Sequence, residues 1–321
     1  MEPFATLDAI AEAVMRRGTR PVVAIAPCAE RFVLRAARLA AERGIAEPFF
    51  IGDMERAKAI GEQHGFDLGR FESIHCPDDA AAVETAVRLF KEGRAKLLMK
   101  GLVSTAVLLR AALAKDAGIA VPGRILSHVT VFQAPRTPEN AAQGPRLMLL
   151  TDAGVNIKPN LQRKVELVKN ALQVARLLGM REPRVAALAA TEKVNYPAMP
   201  ATLEADMLAK MGQAGDFGDA VLVGPVSLDL AISPEAATRK RFESPLQARA
   251  DILLAPDIES GNILYKALST LAQTTLAGVV AGGRVPIVVP SRGDDDASKF
   301  ASIALAAWLA PLFAEEERAD A

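Results

Sequence analysis

The chain has 321 residues, half of them hydrophobic and 24% charged, enough for a large core or two lobes and ordinary for a soluble globular protein. Its 38 basic and 38 acidic residues cancel, which removes the bulk positive field expected of a nucleic-acid binder. Two cysteines (Cys28 and Cys76) make no disulfide framework, the N-terminus lacks the basic-then-apolar order of a leader, and no uninterrupted apolar run approaches the ~20 residues that span a bilayer. A cytoplasmic protein without a membrane or nucleic-acid partner is expected.

The elements then follow in alternation. PVVAIAPC, residues 21–28, is a short β-branched run closed by a turn. AERFVLRAARLAAERG spaces its apolar residues as a helix does and stops at Gly44. AEPFFIGD and MERAKAIGEQHG repeat the pair, as do ESIHCP with DDAAAVETAVRLFKEG and AKLLMKG with STAVLLRAALAK. Residues 125–136 and 145–155 form a β-rich middle around the polar turn TPENAAQG, followed by the amphipathic helix NLQRKVELVKNALQVARLLG. Three more strand–helix passages start at RVAALAATE, DAVLVGPVS and ADILLAPDI, and VPIVVP precedes the last helix. Strands alternating with helices predict mostly parallel sheets with crossover helices. The length of the array and its changed middle predict two α/β lobes, one from 1–142 plus 287–321 and the other from 143–286.

Ligands of open α/β sheets gather at the turns after strands, so turns richer than a plain turn requires are the informative ones. In VPSRGDDD, Ser291 or an aspartate can cap the following helix, and one or two acids there are explained by the helix dipole. Arg292 opposes that dipole, and its planar fork suits phosphate or carboxylate. In PDIESGNILYKAL, Gly261 permits close backbone approach, and Asn262 shares a helical face with Tyr265 and Lys266. In LLTDAGVNIKPN, Asp152, Asn156 and Asn160 crowd a strand exit, where turn chemistry alone also accounts for them. Lys100 and Gly101 stand at another exit, without the glycines of a phosphate-binding loop. G-x-G-x-x-G and G-x-S-x-G are missing, and His64, His75 and His128 are scattered away from metal-ligand spacing, so no metal site is expected.

Taken together, KGLVST, SHVTVF, LTDAGVNIKPN, VGPVSLDLAIS, PDIESGNILYK and VPSRGDDD resemble the phosphate acetyltransferase and phosphate butyryltransferase family across nearly the whole chain. The resemblance implies a two-lobed α/β/α fold like that of isocitrate and isopropylmalate dehydrogenases, an active site in the interlobe cleft, and a homodimer. It implies the reaction acyl-CoA + phosphate ⇌ acyl phosphate + CoA, with both substrates held at once and neither metal nor redox cofactor. Arg292 is then the phosphate cation and Ser291 an oxyanion donor. Lys100, Arg124, Ser127, Asn156, Asn262, Tyr265 and Lys266 are expected to bind phosphate or CoA. The acetyltransferase branch has its aspartate base where this chain has Ser298. Because Asp294 and Ser298 are four apart, an acid one turn back is expected to reach the same spot, which makes Asp294 or Asp296 the base. The alternatives are an NAD(P)-dependent dehydrogenase of the same fold and a non-catalytic CoA-binding relative.

Overall fold

The computed structural model describes residues 2–135, 144–291 and 293–320, with side chains through residue 315. In chain order the elements are α1 (Leu7–Arg17), β1 (Val22–Ala26), α2 (Arg31–Glu42), β2 (Glu47–Gly52), α3 (Met54–Gln63), β3 (Ser73–His75), α4 (Asp79–Lys91), β4 (Leu97–Lys100) and α5 (Thr105–Ala112). The middle contributes β5 (Ser127–Gln133), β6 (Leu147–Thr151), α6 (Leu161–Leu177), β7 (Arg184–Leu188), α7 (Pro200–Gln213) and β8 (Val221–Val226). It continues with two short helices, α8 (Leu228–Ile232) and α9 (Pro234–Lys240), then β9 (Ile252–Leu254) and α10 (Ile258–Lys266), which runs into one π-helical turn, Ala267–Leu271. Last come β10 (Leu276–Ala281), β11 (Ile287–Val288) and α11 (Asp296–Asp320). The helix starts are chemically explicit: Asp53, Asp78, Ser104, Asn160 and Asp257 each accept a free N–H of the first turn with a side-chain oxygen.

Two compact units emerge. The first lobe holds Leu7–Leu126 and Thr275–Ala321, and the second holds Met1–Thr6 and Ser127–Thr274. Strands of the first lobe run in the order β3-β2-β1-β4-β11-β10, parallel except for β10 against β11. Those of the second run β5-β6-β9-β7-β8, parallel except for β5 against β6. The sheets are therefore mostly parallel, as the alternation predicts.

The crossing points expected near residues 142 and 286 move to 126/127 and 274/275. The reason is strand pairing: β5 is registered antiparallel to β6, with Thr130 opposite Leu150, and β10 to β11, with Val279 opposite Val288. A cut at either expected point would sever one of these ladders. β10 itself, LAGVVA, is fully buried.

α11 is long and apolar enough to cross a membrane by length and composition, yet 72% of its apolar window lies inside the first lobe. It is a core helix. Phe300, Ile303, Leu305 and Leu309 are buried, and the hydroxyls of Ser298 and Ser302, one turn apart, accept the N–H groups of Leu276 and Gly278.

Candidate functional site

In the first lobe the exits of β1, β4 and β11 come together. Gly101 follows β4, and its N–H donates to the Ala26 carbonyl at 3.0 Å. A Cβ at Gly101 would overlap the Pro27 carbonyl oxygen, so only glycine lets the two turns touch. Beside this contact lies a cavity of about 230 Å³ lined by Lys100, Leu102, Ser291 and Pro290 from the strand exits, by Glu30, Phe32 and Val33 around the start of α2, and by Lys299 of α11. Two ammonium groups reach this wall. Lys100 is 6% exposed and donates to the carbonyls of Gly101 and Val103. Lys299 is 2% exposed, donates to the Asp294 carbonyl, and stands 5.2 Å over the Phe32 ring.

The three aspartates have separate tasks. Asp294 precedes α11 and accepts the Ser291 N–H at 2.7 Å, closing the turn that holds Ser291. Asp295 accepts the Ser298 N–H and caps the helix. Asp296 pairs with Arg35 at 2.7 Å. The expected equivalence of Asp294 and Ser298 on one helical face does not hold. Asp294 lies before the helix begins, and Ser298 faces β10. Arg292 lies outside the described residues. Burial pushes the thiol of Cys28, in the turn after β1, up to about 12, which disfavours its thiolate at neutral pH.

In the second lobe a single carboxylate organises the turn after β6. Asp152, 2% exposed, accepts from the main-chain N–H groups of His128, Gly154, Val155 and Asn156 and from the Asn156 amide. The Asn156 side-chain oxygen, Oδ1, accepts in turn from the Arg163 guanidinium at 3.0 Å. Helix α10 is clamped against this turn at Gly261, where a Cβ would overlap the Asp152 carbonyl oxygen. The clamp lets Asn262 donate to the Ala153 carbonyl at 3.1 Å. Tyr265, 6% exposed, lies 6.0 Å from the His128 ring, with Lys266 5.0 Å over its own ring. Ser127, fully buried, accepts from the Asn170 amide at 2.8 Å.

The expected residues thus divide. Lys100 and Ser291 share the first-lobe cavity, whereas Arg124, on the turn closed by its N–H to Val121, does not line it. Asn156, Asn262, Tyr265 and Lys266 gather around the Asp152 turn, and Ser127 is tied to α6. Sequence reasoning missed Lys299, Phe32, His128 and Arg163. Lys299 carried a usable signal, a lone cation inside the apolar run ASKFASIALAAW. Among the described residues no group of three or more His, Cys, Asp or Glu side chains converges as metal ligands would.

Comparison with known proteins bears on the family of the whole chain. The family model for phosphate acetyl/butyryl transferase matches residues 77–307. Phosphate butyryltransferase of Clostridium acetobutylicum is 39% identical over 288 residues, 90% of this chain and 93% of its own. Phosphate acetyltransferase of Rhizobium meliloti is also 39% identical, over 305 residues, 94% of this chain and 92% of its own. Among solved structures, a branched-chain phosphotransacylase from Enterococcus faecalis V583 superposes with a TM-score of 0.76 at 33% identity, covering 90% of this chain and 99% of that one. A family model matching residues 77–307, with 39% identity to relatives over nine-tenths of the chain, places it in the phosphate acetyl/butyryl transferase family.

Proposed function

We propose that the protein transfers a short acyl group directly between coenzyme A and phosphate: acyl-CoA + phosphate ⇌ acyl phosphate + CoA. One observation carries this reading. Lys100 and Ser291, nearly two hundred residues apart in sequence, line one cavity at the ends of β4 and β11, where the free groups of a parallel sheet collect.

In the forward direction a phosphate oxygen attacks the thioester carbonyl, the new C–O bond forms, and the C–S bond breaks to release the CoA thiolate, which then takes a proton. Phosphate attack needs a fixed cation; Lys100 supplies one within the cavity, and Arg292 is the further cation that the family resemblance implies. The tetrahedral oxyanion needs a donor, the Ser291 hydroxyl. In reverse, the CoA thiol must lose its proton to a base. Asp294 fits that role better than Asp296, because it closes the Ser291 turn while Asp296 is held by Arg35. Asn156, Asn262, Tyr265 and Lys266 form a second set of polar groups suited to the CoA phosphates and amides. The reaction balances without a redox cofactor or a metal, and a cytoplasmic homodimer completes the proposal.

The test is release of free thiol from acetyl-CoA and butyryl-CoA with and without phosphate. Phosphate-dependent release that survives chelation is expected, with Asp294→Asn reducing turnover by roughly 10²-fold or more and Asp296→Asn by much less. No release from any C2 to C6 thioester by folded protein would refute the reading.

A further inference from the structure

The first-lobe cavity has a composition that phosphate alone does not explain. Lys100 and Ser291 supply polar groups, but Phe32, Val33, Leu102 and Pro290 line the same cavity with apolar ones. Two of these lining side chains are strongly exposed for their kind, Phe32 at 42% and Leu102 at 40%. Large apolar groups left open beside a concavity that also carries a few converging polar groups are the signature of a ligand pocket.

The other charged groups of the wall are turned to partners of their own. The Glu30 carboxylate accepts the Val33 N–H at 2.9 Å, and the Lys299 ammonium is engaged by the Asp294 carbonyl. The Phe32 ring faces the Lys299 ammonium at 5.2 Å and the Arg31 guanidinium at 5.7 Å, contacts that favour this orientation of the ring. At about 230 Å³ the space is several times the ~30 Å³ share of a water molecule, more room than a methyl group fills.

We infer that Phe32 and Leu102 set the acyl length: the cavity takes the hydrocarbon chain of a four- or five-carbon acyl group, straight or branched, with its carbonyl at the Ser291 and Lys100 end. This rests on the acyltransferase reading above and deepens it. An acetyl group would leave the Phe32 and Leu102 faces wet, whereas two further carbons cover them. Each methylene so buried is worth roughly tenfold or more in kcat/KM.

The experiment is the ratio of kcat/KM for butyryl-CoA to that for acetyl-CoA, measured at saturating phosphate in the wild type, Leu102→Trp and Phe32→Ala. Both positions are exposed enough for the variants to fold, and a thermal melt of each verifies it. The wild type should prefer butyryl-CoA by at least tenfold. Leu102→Trp, which fills the space, and Phe32→Ala, which removes its wall, should each lower the ratio by roughly tenfold or more. An acetyl preference in the wild type, or a ratio moved less than twofold by both variants, overturns this inference while leaving the transferase reading standing. Absence of phosphate-dependent release with every thioester overturns both.

Discussion

In the second lobe the buried Asp152 carboxylate is surrounded by donors from four main-chain N–H groups and the Asn156 amide. In the first lobe the buried Lys299 ammonium rests on one carbonyl and the face of a ring, beside open space. The two buried charges differ in their partners: Asp152 accepts five hydrogen bonds, whereas Lys299 donates to the Asp294 carbonyl and stands over the Phe32 ring. A charge saturated by its own backbone defines a rigid turn, and rigidity is what orienting Asn156 and Asn262 requires. A charge held by neutral groups next to a cavity leaves room for an occupant. The difference separates scaffolding from reception.

The sharpest way to break this contrast is Asp152→Ala. It leaves five donors without their acceptor in a buried turn, and a loss of about 3 kcal/mol or more in folding stability is expected, read from urea unfolding. A loss below about 1 kcal/mol would show that the turn does not depend on the carboxylate. Next in size are Gly261→Ala and Gly101→Ala, each of which drives a methyl group into a backbone carbonyl, of Asp152 and of Pro27 respectively. Each should cost about 1–3 kcal/mol, with the Gly101 change lowering phosphate affinity and the Gly261 change lowering CoA affinity. The smallest effect is expected from Lys299→Met. Methionine keeps the length and the contact with Phe32 while removing a buried charge whose partners among the described residues are neutral groups, so stability should shift by no more than about 1 kcal/mol in either direction. A loss as large as that of Asp152→Ala would mean that the two lobes handle buried charge alike.

The alternation of apolar runs with helical spacing made the α/β class readable, because a strand buried on both faces and an amphipathic helix have different periods. PDIESGNILYK and LTDAGVNIKPN were legible as a site through the family resemblance, since turn chemistry alone also accounts for Asp152, Asn156 and Asn160. Their meeting was not, since residues 152 and 261 touch only once β6 and β9 pair side by side. The division of labour within Asp294, Asp295 and Asp296 was equally hidden. Three identical side chains in a row are told apart only by where α11 begins and by Arg35 lying opposite the third.

By itself, then, the sequence determined the layered α/β architecture, the family, and the strand exits where chemistry would gather, because periodicity and turn composition are local properties. The tertiary structure decided where the lobes divide, which aspartate closes the Ser291 turn, and that Phe32, Leu102 and Lys299 share a cavity with Lys100. Those are consequences of strand pairing and helix packing between segments far apart in the chain, and no local pattern encodes them.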